Sequence, residues 1–332
     1  MAKDGRFAAI DVGTTKICSL IADMGEDNTV RVLGAGVVPS SGLHKGAVVN
    51  INEAKRSILE SVKKAERASG VRMESAHVGV TGRHIKALNS HGVVAITRND
   101  KRVRSNDLER VLECAHTVEV PKDRRMIHVI PRQYELDGQV GIKNPVGMHG
   151  FRLDVETHVI TAAVASIQNL VKCVRSAGVE IEDLVLEPLA SSESVLRWDE
   201  KEAGVVLADI GGGTTDIAIF KEGAIWHTAI LPIAGYQLTR DIAIGLGLPF
   251  NIAEEVKRKY GRVVPIHDGK AEDICVPVGD GQSVVYRDLC EIIRARVEEI
   301  LRLVFLKLPH GGQKSIAPAG LVLSGGSSNL QG

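Results

Sequence analysis

Two glycine-rich turns constrain this chain more than any other feature: Asp11-Val12-Gly13-Thr14-Thr15-Lys16 and, far downstream, Asp209-Ile210-Gly211-Gly212-Gly213-Thr214-Thr215-Asp216. Each follows an apolar run (Phe7-Ala8-Ala9-Ile10; Val205-Val206-Leu207-Ala208) that reads as a buried strand. A second β-like run (Ile17-Cys18-Ser19-Leu20; Ile217-Ala218-Ile219-Phe220) follows at once, so each turn closes a hairpin. Neither turn has the Gly-Lys-Ser/Thr order leading into a helix that a P-loop requires. Glycine lets backbone N–H groups approach phosphate oxygens, threonine hydroxyls add donors, and an aspartate at a strand end can hold magnesium through water. Taken singly, the first turn is equally an ordinary tight hairpin. Three consecutive glycines exceed what a hairpin needs and favour close approach to a ligand. Together, two such turns would clamp one polyphosphate.

A chain of 332 residues exceeds one small core, so two domains are expected. Apolar residues at 44%, charged residues at 25% and a formal net charge of +0 fit a soluble globular protein, with no global field for nucleic acid or an anionic membrane. Cys18, Cys114, Cys173, Cys275 and Cys290 lie scattered, without the pairing expected of zinc sites, so free thiols in a reducing compartment are expected. Neither a leader-like start nor a long apolar span is present in the sequence, and a cytosolic chain is expected.

Between the turns, residues 30–38 extend the sheet, and residues 52–68 form a helix, opened by Asn and Glu, whose Ala54, Ile58, Val62 and Ala65 share one face. Residues 83–165 change texture: β-runs surround one helix at 105–116, started by a Ser or Asn cap and burying Leu108, Val111, Leu112 and Ala115. This segment reads as an inserted module. A last long helix, 287–308, aligns Leu289, Ile293, Val297, Ile300, Val304 and Phe305 in one core-facing stripe. The run Leu321-Val322-Leu323-Ser324-Gly325-Gly326-Ser327 is either a strand whose glycines lay backbone flat against a purine or a plain terminal tail.

These three motifs, in this order, resemble the actin-like ATPase superfamily. Within it, His128-Val129-Ile130-Pro131-Arg132-Gln133-Tyr134, Gly141-Ile142-Lys143-Asn144-Pro145-Val146-Gly147 and Leu189-Ala190-Ser191-Ser192 resemble the FtsA family of bacterial cell-division proteins. The resemblance covers nearly the whole chain. It implies an α/β actin-like ATPase fold, two related domains flanking a nucleotide cleft, with an inserted IC subdomain replacing IB. The implied division is 6–82 and 166–203 for subdomain IA, 83–165 for IC, 204–236 and 315–332 for IIA, and 237–314 for IIB.

Carried onto these residues, the resemblance implies ATP and Mg2+ as cofactors. Asp11, Gly13, Thr14, Thr15 and Lys16 would meet the β- and γ-phosphates, and Gly211, Gly212, Gly213 and Thr214 the opposite side. Asp11 and Asp209 would face the hydrated metal, and Asp209 would orient attacking water. Glu187, before Pro188, is either a helix-opening residue or a second catalytic carboxylate. Glu254 and Lys257, one helical turn apart, either pair on a surface or reach the ribose and adenine, and Gly325, Gly326 and Ser327 would pack on the base. DnaK-type chaperones supply a catalytic lysine from the IB position, so the resemblance implies slow hydrolysis at most.

The implied partners are the C-terminal tail of FtsZ, further copies of the chain in filaments, other septal proteins and the inner membrane; nucleic acid is not among them. Arg294 and Arg296, with guanidinium groups suited to carboxylates, are expected to receive the FtsZ tail. The basic run 98–104 is either a solvated loop or part of a self-association surface. Membrane attachment in the family runs through a terminal amphipathic helix, and this chain, stopping at Gly332, is expected to be a fragment without it. The implied location is the cytoplasmic face of the membrane at the division septum. A PilM-like pilus-assembly protein and a sugar kinase of the same fold are the alternatives.

Overall fold

The computed structural model describes residues 5–27, 29–117, 119–264, 275–279, 282–309 and 317–332. The first glycine turn joins β1 (Arg6–Val12) to β2 (Lys16–Met24), and β3 (Val30–Pro39) continues an antiparallel meander. A short hairpin, β4 (Leu43–His44) and β5 (Ala47–Val48), leads into α1 (Ile51–Ser69). The Asn50 side chain caps α1 by accepting from the N–H groups of Asn52 and Glu53, and Gly70 ends it in the left-handed conformation. Ala54, Ile58, Val62 and Ala65 are buried as their spacing predicts. They lie on β3, where a Cβ on Gly36 would sit 2.0 Å from the Ser61 carbonyl oxygen, so glycine there sets how closely helix and sheet approach.

After β6 (Ser75–Val80), the inserted module contains β7 (Ile85–Ala95), α2 (Ser105–His116), β8 (Arg124–Leu136), β9 (Gln139–Ile142) and β10 (Arg152–Ala163). Its antiparallel sheet, ordered β7-β10-β8-β9, buries Leu153 and Val155 with Val111 and Ala115 of α2. The expected Ser or Asn cap of α2 is corrected: Arg104 precedes the helix, and the buried Asp107 carboxylate accepts its N–H at 2.9 Å. Leu108 and Leu112 are half-buried rather than core.

The chain returns through α3 (Val164–Ser176), β11 (Glu180–Leu186), α4 (Glu187–Val195) and α5 (Trp198–Ala203). The first sheet is thereby completed in the order β11-β6-β1-β2-β3, with β6 parallel to β1. The second glycine turn joins β12 (Val205–Ile210) to β13 (Thr215–Lys221), followed by β14 (Ala224–Leu231), α6 (Gly235–Gly245), α7 (Phe250–Tyr260), β15 (Cys275–Gly279), β16 (Gln282–Val285), α8 (Tyr286–Lys307) and β17 (Leu321–Ser324). The sheet order β14-β13-β12-β17 repeats β3-β2-β1-β6: an antiparallel meander whose first strand gains a parallel neighbour from later in the chain. The duplicated turns thus belong to duplicated sheets.

Helices α6, α7 and α8 pack around Leu238, Ile242, Val256, Leu289 and Ile293. Phe305 departs from the expected stripe and is 44% exposed, while Val304 is buried. Adjacent helical residues point about 100° apart, so both cannot face one core. The 314/315 boundary lies outside the described residues. On the other side, β14 docks on the inserted sheet: His158 Nε2 lies 2.9 Å from Thr228 Oγ1, and the Arg132 guanidinium stacks 3.9 Å over the Trp226 ring. Among the described residues no helix is long and apolar enough to cross a membrane.

Candidate functional site

Both hairpins leave the same loop. Val12 pairs with Ile17 and Ile210 with Thr215, so residues 13–16 and 211–214 form the two tips. The tips touch. A Cβ on Gly212 would lie 1.8 Å from Thr15 Oγ1, and one on Gly213 would lie 2.6 Å from Thr14 Oγ1. Thr14 Oγ1 accepts the Gly46 N–H at 3.2 Å, tying the first tip to the β4–β5 hairpin. The second tip is tied to the start of α6, where the N–H groups of Gly235 and Tyr236 donate to the carbonyls of Gly211 and Gly212 at 3.1 and 2.7 Å. Lys16 is exposed beside its turn.

Behind the tips the strands bring carboxylates together. Asp11 ends β1, Asp209 lies near the end of β12 and Glu187 opens α4 ahead of Pro188. A Cβ on Gly79 would stand 3.7 Å from both the Asp11 backbone and Glu187 Oε1. That Oε1 is buried without a hydrogen-bond partner. Burial pushes Glu187 well above the usual carboxylate range, and the charges of Asp11, Asp216 and Asp209 push the same way. Asp11 opens to solvent but is crowded on its other sides, and this desolvation raises it against the opposing pull of Lys16. The Ser191 hydroxyl donates to Asp209.

Sequence reasoning assigns no role to Ser191, Thr81 or Asp216. The missed signal is hairpin register: counting outward from the second tip sets Asp216 directly opposite Asp209, on the same face. Asp216 is buried and raised, chiefly by desolvation, and it accepts from the hydroxyls of Thr81 and Thr214. Thr81 follows β6, so this bond joins the two halves at the cleft base.

The third motif reaches the same place. Ser324 pairs with Asp209, and Gly325, at φ +84°, would carry its Cβ 2.5 Å from Asp209 Oδ1, a position only glycine fills without strain. Ser327 Oγ donates to the Gly211 carbonyl at 3.0 Å, while Gly326 faces open space. Glu254 and Lys257 pair at 2.6 Å on α7, and Lys257 Nζ also donates to Thr239 Oγ1 at 2.8 Å and to the Gly235 carbonyl at 3.3 Å. The lysine is largely buried, so this is no exposed surface pair. The structure therefore gathers the two turns, the carboxylates, residues 325–327 and the α7 pair around one cleft.

Arg294 and Arg296 stand elsewhere, on α8. Arg296 does not offer a free guanidinium: it makes two bonds to Asp241 of α6, at 2.5 and 3.0 Å, and a further contact with Glu299. Arg294 is exposed and pairs with Glu298, one turn along.

The donor set around Asp11 and Asp209 is hard oxygen with a surplus of negative charge, and the orphaned Glu187 oxygen adds to it, which fits a small divalent cation. No group of three or more His, Cys, Asp or Glu is poised as a metal cage among the described residues. A concavity of about 260 Å3 lies instead on the open face of the inserted sheet, near His91, Glu135, Asp154 and Glu156.

Comparison with known proteins agrees with this architecture. A family model described as the SHS2 domain inserted in FTSA matches residues 82–161, and one described as cell division protein FtsA matches residues 206–332. The cell division protein FtsA of Pseudomonas aeruginosa is 46% identical over 329 residues, 98% of this chain and 78% of that protein. That of Bacillus subtilis is 38% identical, covering 98% of this chain and 74% of the relative. Among solved structures, the PilM-PilN type IV pilus biogenesis complex matches at a TM-score of 0.66 and 17% identity, over 98% of this chain and 83% of that one. MreB 5 of Spiroplasma citri bound to AMPPNP matches at 0.56 and 15%, over 99% and 87%. These last two share the actin-like ATPase fold.

Proposed function

The chain belongs to the FtsA family of cell division proteins, and from that premise we propose that it binds Mg-ATP in this cleft and uses it to govern assembly at the division septum. The observation that carries the reading is the meeting of two glycine-threonine tips in front of an uncompensated carboxylate cluster. In this reading Gly13, Thr14, Thr15 and Lys16 hold one side of the polyphosphate and Gly211, Gly212, Gly213 and Thr214 the other. The tips must part to admit it. Asp11 and Asp209 hold magnesium through water, and the ion would neutralise phosphate charge. Glu254 and Lys257 present polar groups toward the ribose, while Gly325, Gly326 and Ser327 give a flat seat for the base. Hydrolysis is slow at most: Asp209 orients water, and Glu187 would act as the second carboxylate.

The subdomain division set out above belongs to this proposal, with the inserted module serving self-association into filaments. As an adaptor, the protein would hold FtsZ filaments by their C-terminal tails, recruit other septal proteins and associate with the inner membrane. Because Arg296 is engaged with Asp241, Arg294 is the better placed of the two arginines for an acidic tail. Thermal melting with and without Mg-ATP tests the cleft, and capture of the chain on an immobilised FtsZ tail peptide tests the adaptor. No melting shift at saturating nucleotide, or no capture, would overturn the corresponding half.

A further inference from the structure

Three aromatic rings stand on the rims of the cleft, outside the phosphate turns. His44 lies on the first rim, in β4, while Tyr236 and Phe250 lie on the second, at the starts of α6 and α7. The Tyr236 ring centroid is 4.9 Å from that of Phe250, tilted by 37°, and 6.1 Å from that of His44, edge-on at 88°. Tilted and edge-to-face approaches are the attractive geometries for such rings. Tyr236 and Phe250 are each 42% exposed and belong to none of the hydrophobic clusters, so their contact is not a by-product of core packing.

Each rim is geared to one tip. Gly46, two residues past His44, donates its N–H to Thr14, and the Tyr236 N–H donates to the carbonyl of Gly212. The β4–β5 hairpin has little freedom to swivel, since a Cβ on Gly46 would stand 2.7 Å from the Gly82 backbone. Parting the tips therefore separates His44 from Tyr236.

Resting on the nucleotide reading above, we propose that His44 and Tyr236 form an aromatic clasp across the cleft mouth that holds the empty cleft shut and so limits how fast a nucleoside triphosphate enters, with Phe250 as the positioning residue for Tyr236. A contact that must break before the ligand enters slows capture more than release. It adds no polar group to the nucleotide site itself.

The test mixes the 332-residue chain with a fluorescent ATP analogue and magnesium and follows the rate of capture, with release measured separately after a chase of unlabelled ATP. Tyr236→Ala should capture about three- to tenfold faster, the range one aromatic pair supplies, and release at the wild-type rate. Tyr236→Phe, which keeps the ring, should capture like the wild type. His44→Ala should act in the same direction as Tyr236→Ala, and the double variant should be no faster than Tyr236→Ala alone, because the same contact is removed once. Unchanged capture in Tyr236→Ala, equally fast capture in Tyr236→Phe, or independent multiplication of the two alanine effects would overturn the clasp alone. A wild type that binds no analogue would overturn the nucleotide reading and the clasp with it.

Discussion

Replacing Gly212 with valine tests the cleft most directly. A Cβ at this position would stand 1.8 Å from Thr15 Oγ1 and 3.0 Å from Thr15 Cβ. The turn cannot retreat without stretching the 2.7 Å bond from the Tyr236 N–H to the Gly212 carbonyl. Valine must therefore wedge the tips apart and occupy the space proposed for phosphate. A ligand at about a hundredfold its dissociation constant stabilises the native state by about 2.7 kcal/mol. With unfolding entropy of about 2.1 cal/mol/K per residue, 332 residues give roughly 0.7 kcal/mol/K, so the wild type should gain about 4 °C if it melts as one unit. In Gly212→Val that gain should fall below about 1 °C, and overpacking should lower the ligand-free melt by about 1–3 kcal/mol. The pair Gly212→Ala with Thr15→Ala removes the 1.8 Å overlap and separates the two effects: its ligand-free melt should recover toward wild type. Scanning calorimetry with and without Mg-ATP reads both quantities. If Gly212→Val shifts with nucleotide as far as the wild type does, the polyphosphate does not lie between these tips.

Four further outcomes concern single residues. Burial, with His227 and Arg132 adding to it, holds His158 down at about 4 against an ordinary 6.5, so between those values the unfolded chain binds a proton that the native one refuses. Stability should therefore fall as pH drops through that window, by roughly 3 kcal/mol at most, and His158→Gln should show a shallower loss; identical slopes in urea titrations would refute it. Gly36→Ala, with its new carbon 2.0 Å from the Ser61 carbonyl oxygen, should lift α1 from the sheet and lower the urea midpoint by the equivalent of about 1–3 kcal/mol, and an unmoved midpoint would contradict that packing. Arg296→Ala should destabilise the chain by about 1–2 kcal/mol through loss of the tie to Asp241. Arg294→Glu should leave melting unchanged and weaken binding of an FtsZ tail peptide by calorimetry; equal affinity would move that surface elsewhere.

The parts of the fold that were legible in the sequence are those fixed by neighbours a few residues apart. The α1 helix announces its buried face within one stretch, and each glycine turn sits between its own two strands. What was not legible depends on partners far along the chain. Asp107 takes over the cap of α2 while paired with Arg98, which lies outside the helix. Arg296 looks like a free cation until α8 is laid beside α6, where Asp241, 55 positions away, claims it. The parallel pairing of β17 with β12, which delivers Gly325 to Asp209, has no local signature at all.

The duplicated hairpins also divide the chemistry unequally, in a way the repeat conceals. Opposite Asp11 the first hairpin places Cys18, whereas opposite Asp209 the second places Asp216. Carboxylates are thus concentrated on the second half, and Glu187 of α4 adds one from the crossing between the halves. The Thr81 hydroxyl, at the end of β6, answers Asp216 directly, so the first half is bound to that charge by a neutral donor rather than by a cation. A neutral donor compensates a buried carboxylate only in part. The halves are therefore held together in an arrangement that an arriving cation would relieve, and this leaves the cleft poised to respond to a charged ligand at its base while its tips and rims remain in contact.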